Sequence, residues 1–152
     1  MKILEFKDNY RFLSNFYPCN VSYEDIIFEY VEHAYQYAKC YKNLDKTKVL
    51  SAKTVKESKF LGRTIKLRKD WDKVKEGILT DLIKQKFYKE PLKNMLLSTG
   101  TAKIIEGNMW HDNFYGNCLC DRCKNIRGKN VLGNILMEVR DEFNKKIQTE
   151  SI

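Results

Sequence analysis

Apolar residues recur at helical spacing in three stretches of the chain. The first begins at residue 31, where positions i, i+3, i+4 and i+7 predict an amphipathic helix: Val31, Ala34, Tyr35 and Ala38. A long helix is predicted for residues 71–89, with Asp70 as its N-cap. It is expected to end there because Pro91 pushes the residue before it out of the helical region. The clearest pattern predicts a final helix that packs on a core: Val131, Leu132, Ile135, Leu136, Val139 and Phe143.

Two shorter segments predict a β-hairpin near the N-terminus. Residues 20–24 and 26–30 carry β-branched and aromatic side chains around Glu24 and Asp25, an acidic pair that fits a turn. The other short elements are expected at residues 3–6 (strand), 46–61 (a weaker helix), 92–97 (helix), 103–106 (strand) and 107–127 (irregular loop).

These elements fit one domain of mixed class. The chain has 152 residues, of which 43% are hydrophobic, and its two prolines and seven glycines form no linker. The expected fold is α+β, mainly helical, with a small N-terminal antiparallel sheet. One domain is expected over residues 1–148, followed by a C-terminal tail at residues 149–152.

Positive charge is concentrated in the middle of the sequence. Residues 39–90 hold 16 basic and 7 acidic side chains, so this stretch carries +9 while the whole chain carries +8. It favours a polyanionic partner, either nucleic acid or a phosphorylated small molecule, and the alternative is a solvated lysine face. No run approaches the roughly 20 apolar residues of a membrane span, and early charges exclude a signal peptide, so a cytoplasmic location is expected.

Three of the five cysteines form a C-x-C-x-x-C motif at Cys118, Cys120 and Cys123. Two thiolates at C-x-x-C spacing can chelate zinc, but a closed structural site needs four ligands. His111, Cys19 or Cys40 would have to supply the fourth. A loop of reduced thiols is the favoured interpretation, and a zinc site remains the alternative.

The helix predicted from residue 31 carries a polar strip beside its apolar face. Glu32, Gln36 and Lys39 lie at i, i+4 and i+7, so their side chains share one face. The strip is either an ordinary solvated face or one wall of a pocket.

Lys75 interrupts the apolar stripe of the helix predicted at residues 71–89. On a helical wheel it falls between Leu79 and Leu82. Its stem can carry the charge outward to water. If it cannot, desolvation lowers its pKa and yields a neutral, nucleophilic amine. Gly77 costs the helix about 1 kcal/mol relative to alanine, which close approach of a backbone or a ligand would explain.

The predicted loop brings carboxylates next to aromatic residues. Glu106 follows two isoleucines, and Asp112 lies between Trp110 and the pair Phe114-Tyr115. Aromatics around a carboxylate suit a site that stacks a flat base while an acid or base acts on a sugar. The alternative is that the aromatics only anchor the loop to the core.

Six collinear segments resemble the NADAR, or YbiA-like, family. They are FLSNFYPC at residues 12–19, VEHAYQYAK at 31–39, FLGRTIKLRKDW at 60–71, LSTGTAKIIE at 97–106, HDNFYG at 111–116 and GKNVLGNILMEVR at 128–140. Together they span nearly the whole chain, so the resemblance is much stronger than any single motif.

The resemblance implies a hydrolase that acts on an N-glycosyl bond. Members of the family are associated with NAD and ADP-ribose metabolism; some cleave phosphorylated riboflavin-pathway intermediates, and others remove ADP-ribose from guanine bases. The expected substrate is an ADP-ribosylated guanine or a phosphorylated ribosylamino-pyrimidine, free or carried on nucleic acid. No cofactor and no membrane partner are expected.

Matching the family's motifs by position also implies site residues. The helix motif E-H-x-x-Q-x-x-K begins at Glu32, the W-x-x-x-K motif begins at Trp71, and the acidic loop supplies Asp112. The expected catalytic residues are the carboxylates Glu32 and Asp112 and an amine nucleophile, Lys75 or alternatively Lys39. The expected substrate-binding residues are Gln36, Trp71, Tyr115, Glu106 and, for the phosphates, Arg63, Lys66 and Arg68.

The sequence departs from the family pattern in its aromatic loop. Tyr115 stands where a tryptophan is common, so a tyrosine must do its stacking, and the cysteine motif is not a general feature of the family. Two other functions remain as alternatives: a non-enzymatic basic nucleic-acid-binding protein, and a zinc-stabilised interaction module.

Overall fold

The computed structural model describes residues 1–150, which separate into two compact units. One unit consists of Met1–Ser14 together with the chain from Glu90 onward, and the other is Asn15–Lys89. The strands are β1 (Lys2–Ile3), β2 (Val21–Tyr23), β3 (Ile26–Phe28), β4 (Lys103–Ile104), β5 (Gly107–Asn108) and β6 (Asn117–Cys118). The helices are α1 (Val31–Ala38), α2 (Asn43–Leu50), α3 (Val55–Leu61), α4 (Trp71–Tyr88), α5 (Leu92–Leu97) and α6 (Val131–Glu150).

In the Asn15–Lys89 unit, β2 and β3 form the antiparallel hairpin that the sequence predicts. Glu24 and Asp25 make its two-residue turn with φ of 49° and 63°, as a tight hairpin turn that follows the twist of its strands requires. Gln85 of α4 is hydrogen-bonded to β2. Its Oε1 accepts a hydrogen bond from the Ser22 amide at 2.7 Å, and its Nε2 donates to the Ser22 carbonyl at 3.0 Å. The predicted small antiparallel sheet is confirmed.

Helix α1 is the centre of this unit and packs against α2, α3 and α4. Its apolar residues Val31 and Ala34 are fully buried, as their spacing predicts. Burial extends to the polar residues Glu32 and Gln36 of the same helix. The polar strip predicted on this helix is therefore not a solvated face.

The prediction of one continuous helix at residues 46–61 is wrong, because the structure has two helices there, α2 and α3. Thr54 caps α3: its hydroxyl accepts a hydrogen bond from the Glu57 amide at 3.0 Å, and the Glu57 carboxylate accepts one from the Lys53 amide at 3.0 Å. This reciprocal arrangement is close to a capping box, and it starts a new helix.

In the other unit, β1 pairs with β4 in parallel, and α6 covers β4. Asn130, just before α6, ties the helix to this sheet by donating to the Ile104 carbonyl at 2.8 Å and accepting from the Glu106 amide at 2.9 Å. Gly133 allows the close approach, since a Cβ there would overlap the Ile104 carbonyl oxygen. Arg140 of α6 is buried and donates to Thr99 and to the Ala102 carbonyl, both at 2.9 Å.

The predicted boundaries at the C-terminus lie close to the end of the described chain. Helix α6 continues through Glu150, so residues 149 and 150 of the predicted tail are helical. Residues 151 and 152 lie outside the described residues. Within residues 1–150, no helix is both long enough and apolar enough to cross a lipid bilayer.

Two glycines in helices should respond oppositely to substitution by alanine. Gly133→Ala should lower the free energy of unfolding by about 1–3 kcal/mol, because the new methyl group overlaps the Ile104 carbonyl. Gly77→Ala should raise it by about 1 kcal/mol, because alanine favours a helix and, apart from the adjoining helix backbone, a Cβ there would meet no atom within 4 Å. Urea unfolding followed by circular dichroism measures both changes. A Gly133→Ala protein as stable as the wild type would contradict the packing of α6 on β4.

Candidate active site

A buried carboxylate and a buried amide face each other on α1. Glu32 is 8% exposed and Gln36 is 5% exposed, one helical turn apart. Gln36 Nε2 donates a hydrogen bond to Glu32 Oε1 at 2.6 Å. Glu32 also lies in the first turn of α1, where the helix dipole stabilises negative charge. The fold thus holds an acidic group out of bulk water in a fixed orientation.

Gly62, which follows α3, leaves the space that the Gln36 side chain occupies. A Cβ at this position would overlap Gln36 Oε1 and lie 3.1 Å from Lys39 Cε. Gln36 Oε1 is itself buried and accepts no hydrogen bond from the described residues. An unpaired buried acceptor costs free energy, so this oxygen is well suited to receive a hydrogen bond from a ligand.

Lys39 completes a cluster of polar side chains with Glu32 and Gln36. Burial lowers the pKa of its ammonium, the Glu32 carboxylate opposes this effect, and the positive charges of Arg63 and Lys59 reinforce it. An amine with a lowered pKa is neutral, and therefore nucleophilic, for a larger fraction of the time at neutral pH. The Glu32 cluster, as we call Glu32, Gln36, Lys39, Gly62 and Arg63, contains the groups needed for acid–base or nucleophilic chemistry.

In the other unit, the acidic loop at residues 106–116 is organised by Asn108, which is 2% exposed. Its side-chain oxygen accepts hydrogen bonds from the amides of Trp110 and Asp112, both at 3.2 Å. Its Nδ2 donates to the Asp112 carbonyl at 2.8 Å and to Glu106 Oε2 at 3.1 Å. The sequence pattern does not single out Asn108, because nothing in its spacing distinguishes it from an ordinary turn residue.

The two predicted carboxylates of this loop have different surroundings. Asp112 Oδ1 accepts hydrogen bonds from the amides of Phe114 and Tyr115 at 3.0 and 2.9 Å, so this carboxylate shapes the turn. Glu106 lies against Gly116, where a Cβ would overlap its Oε2. The structure brings Asp112 and Glu106 onto one loop, both tied to Asn108.

Comparison with known proteins places this arrangement in a family. A model of the NADAR domain matches residues 4–144. The chain belongs to the NADAR family. It is 34% identical over 149 residues to the N-glycosidase Npun_R5314 of Nostoc punctiforme, covering 94% of this chain and 92% of that protein.

Two further relatives agree with this assignment. The chain is 29% identical over 143 residues to the N-glycosidase YbiA of Escherichia coli, covering 90% of this chain and 83% of that protein. It is 32% identical over 139 residues to the riboflavin biosynthesis protein VVA0006 of Vibrio vulnificus, but spans only 36% of that longer protein. The NMR structure of Escherichia coli YbiA superposes with a TM-score of 0.81 at 25% identity, covering 97% of this chain and 88% of that chain.

These matches confirm three expectations drawn from the sequence. The chain is a NADAR protein, its fold is the mixed α+β fold of the YbiA type, and the reaction class is hydrolysis of N-glycosyl bonds.

Of the two outcomes that the sequence leaves open for Lys75, the structure shows the one in which its charge points outward. Its ammonium forms an ion pair with the exposed Asp72 at 3.2 Å, so the stem carries the charge outward. The desolvated lysine of α4 is Lys86, which is 1% exposed and lies 4.9 Å from the centroid of the Phe87 ring. Burial lowers the pKa of Lys86 to about 7, opposed by Cys19. Gly77 is also not a point of close approach within the described chain.

The three cations predicted to hold phosphates in this NADAR protein lie in different environments. Arg63 is exposed and close enough to Lys39 to lower its pKa. Lys66 is exposed, with its ammonium 5.3 Å from the centroid of the Tyr41 ring. Arg68 forms two hydrogen bonds to Asp70, at 2.7 and 3.0 Å, and the Asp70 carboxylate raises the pKa of its guanidinium. Arg63 is therefore the cation that joins the Glu32 cluster.

The aromatic residues singled out from the sequence also lie in different environments. Trp71 is 7% exposed and packs on Tyr35 of α1 with ring centroids 5.0 Å apart, so it orients α1 against α4. Phe114 and Tyr115 meet edge to face at 4.7 Å, both partly buried. Trp110 is 61% exposed, which excludes it as an anchor in the core.

Of the three residues proposed as a fourth metal ligand, His111 lies next to the cysteine motif. His111 and the three motif cysteines each place a ligand atom within 4.8 Å of the others. Cys19 and Cys40 belong to the other unit. The geometry therefore selects His111.

Replacing Lys86 should remove a pH dependence of stability. The unfolded chain, with a lysine pKa near 10.5, binds one more proton than the folded chain between pH 7 and 10.5, so this group makes stability rise with pH in that window. Lys86→Met should stabilise the protein most near pH 7, and its advantage should shrink by at most about 1.4 kcal/mol per pH unit above that. Urea unfolding at pH 7.5, 8.5 and 9.5 measures the difference. A constant difference would mean that Lys86 is charged in the folded protein throughout.

Proposed function

We propose that this NADAR protein cleaves the bond between C1 of a phosphorylated ribose, or of an ADP-ribosyl group, and the nitrogen of a base. The observation that carries the proposal is the Glu32 cluster. It combines a buried carboxylate, a buried amide oxygen without a protein partner among the described residues, and an amine with a lowered pKa.

The reaction needs each of these groups. As the C1–N bond breaks, positive charge develops on the sugar and negative charge on the departing base. Glu32 can stabilise the first charge or relay a proton to the base, and the Gln36 hydrogen bond keeps its carboxylate in one orientation. Gln36 Oε1 can accept a hydrogen bond from a substrate hydroxyl, which would satisfy the buried acceptor.

Lys39 is the amine that we propose as nucleophile. Its nitrogen bonds to C1 while the C1–N bond to the base breaks, and the base leaves with a proton that Glu32 relays to it. A proton then passes from the Lys39 nitrogen to the ring oxygen as the bond between C1 and that oxygen breaks, which gives an imine. Water adds to C1 to release the sugar and regenerate the amine. Lys75, the other amine predicted from the sequence, is engaged with Asp72 at 3.2 Å.

The surroundings of the cluster support an anionic substrate with a flat base. Arg63 and Lys59 are close enough to lower the pKa of Lys39, and their charges suit phosphate oxygens. Phe16 is 36% exposed, and its ring centroid lies 5.5 Å from Lys59 Nζ, so it offers an apolar face for a base. The Vibrio vulnificus relative is named a riboflavin biosynthesis protein, so a ribosylamino-pyrimidine phosphate is one substrate to test, and an ADP-ribosylated guanine is the alternative.

The remaining assignments stay predictions. Asp112 is proposed as the second carboxylate, although its Oδ1 also shapes the turn of its loop, and Glu106 and Tyr115 are proposed to contact substrate. Nucleic acid is proposed only as a carrier of the modified base. A cytoplasmic location belongs to the same proposal, and it agrees with five free cysteines in the structure.

The protein should hydrolyse the N-glycosyl bond and release a reducing sugar phosphate. The base is released free from a nucleotide substrate, whereas it stays in the strand when an oligonucleotide carries it. We expect this in separate incubations with a ribosylamino-pyrimidine phosphate and with an ADP-ribosylated guanine oligonucleotide, at least one of which should be turned over, as measured by mass spectrometry. Glu32→Gln should reduce turnover by about 10²–10⁴-fold, because it removes the charge and keeps the hydrogen bond to Gln36. Glu29→Gln, at an exposed acid two residues before α1, is the matched control and should leave turnover unchanged.

Two outcomes would count against this proposal. Unchanged turnover in Glu32→Gln would remove Glu32 from catalysis. Binding of both oligonucleotide and nucleotide without cleavage of the N-glycosyl bond, with an affinity that falls steeply with salt, would instead support a non-enzymatic nucleic-acid-binding protein.

Borohydride should trap the sugar on Lys39. Reduction of the imine during turnover should leave an adduct on the peptide that contains residue 39, which peptide mass spectrometry locates. Lys39→Met should abolish the adduct, whereas Lys75→Met should retain it, because Lys75 is paired with Asp72 at the helix surface. Turnover without any adduct in the wild type would mean that water attacks C1 directly, and an adduct on residue 75 would restore the assignment made from the sequence.

A further inference from the structure

Four side chains at the end of the acidic loop converge on one point. His111 Nδ1 lies 3.3 Å from Cys120 Sγ, 3.4 Å from Cys123 Sγ and 3.8 Å from Cys118 Sγ. The sulfurs of Cys118 and Cys120 are 3.3 Å apart. All four atoms lie within 4.8 Å of one another.

The separations from His111 Nδ1 are close to the edges of a zinc tetrahedron, and the sulfurs of Cys118 and Cys120, at 3.3 Å, are about 0.5 Å closer than such an edge. Zinc bonds of about 2.3 Å to sulfur and about 2.1 Å to nitrogen give edges of about 3.8 Å between sulfurs and about 3.6 Å between sulfur and nitrogen. The separations from His111 Nδ1, 3.3 to 3.8 Å, lie on both sides of the second value. Three thiolates and one imidazole are a complete set for a structural zinc site, which leaves no open position for a substrate.

The backbone brings the ligands together from two directions. Strand β6 pairs with β5 and ends at Cys118, whose amide donates to Asn113 Oδ1 at 2.9 Å. Cys120 and Cys123 lie on a single 3₁₀ turn, closed by a hydrogen bond of 3.0 Å from the Cys123 amide to the Cys120 carbonyl. The motif spacing therefore has a structural basis.

His111 completes the set through an unusual backbone conformation. Its φ is 68°, in the left-handed region that non-glycine residues rarely adopt. Asn108 stabilises this conformation by accepting hydrogen bonds from the amides on both sides of it, those of Trp110 and Asp112.

The chemistry of the cluster also favours a cation. Cys118 and Cys123 are 2% and 5% exposed, so their sulfurs are largely removed from water. Thiolates this close repel one another strongly in a medium of low dielectric constant, and a divalent cation converts that repulsion into attraction. Soft sulfur ligands in tetrahedral geometry select zinc over magnesium or calcium.

We propose that His111, Cys118, Cys120 and Cys123 bind one structural Zn²⁺ ion. The ion would fix the segment next to Asp112 and join the acidic loop to the 3₁₀ turn at Asp121–Cys123. The site goes beyond the proposed glycosidase function and does not depend on it, since metal binding is measured without substrate.

The test is the metal content and the metal affinity of the full chain. Protein purified without a metal-affinity column should contain one zinc per chain by elemental mass spectrometry. After removal of zinc under reducing conditions, Co²⁺ alone should produce the thiolate charge-transfer and strong visible bands of a tetrahedral complex, and added Zn²⁺ should bleach them.

Variants assign the ligands. Cys120→Ser and His111→Ala should each weaken Co²⁺ binding at least tenfold, whereas Cys19→Ser, a matched substitution in the other unit, should leave it unchanged. The Co²⁺ spectrum of the wild-type chain keeps the proposal testable even if a variant fails to fold, because it reports sulfur ligation directly.

Three results would overturn the proposal. The first is folded wild-type protein that contains no zinc and gives no tetrahedral Co²⁺ spectrum. The second is an iron–sulfur chromophore in the purified protein. The third is a disulfide between Cys118 and Cys120, found by peptide mapping under non-reducing conditions. Each can be recognised whether or not the protein hydrolyses a glycosidic bond.

Discussion

The hydrogen bond between Glu32 and Gln36 is the constraint around which the Asn15–Lys89 unit is built. Helix α1 is buried against three other helices, so a carboxylate on it must be satisfied by a partner that the fold supplies. Gln36 supplies one hydrogen bond, at 2.6 Å, one turn further along the helix. That requires Gly62 beside it, because any larger residue would displace the amide. Gln36 Oε1 nevertheless stays without a described partner, so the arrangement fits a ligand better than it fits a closed core.

The other unit must order a loop that has almost no regular structure. Strands β5 and β6 have two residues each, too few to hold the loop by ladder hydrogen bonds alone. Buried asparagine side chains provide the additional hydrogen bonds. Asn108 binds the backbone inside the loop, and Asn130 binds the backbone on either side of Ile105. An amide side chain offers both donors and an acceptor, so each asparagine replaces several missing backbone partners.

The sequence predicts the long-period features of this structure and misses those that depend on single contacts. The apolar spacing at residues 31–38 and the stripe from Val131 to Phe143 locate α1 and the start of α6, because burial of one helix face leaves a periodic signal. The parallel pairing of β1 with β4 leaves no such signal, since strands of two residues have no period. The break between α2 and α3 leaves a different signal, because Thr54 and Glu57 have the spacing of a capping box, which a search for apolar periodicity alone does not detect.

Three lysines show why the nucleophilic amine cannot be assigned without the structure. On a helical wheel, Lys75 and Lys86 both lie near the apolar stripe of α4, but Lys75 reaches Asp72, whereas Lys86 is enclosed. Complete burial also removes Lys86 from consideration as a nucleophile, because an amine that is 1% exposed cannot meet an anomeric carbon without local unfolding. Lys39 is only partly buried, beside a carboxylate and an exposed arginine. A nucleophilic amine needs both partial desolvation and access to substrate, and of these three lysines only Lys39 combines them.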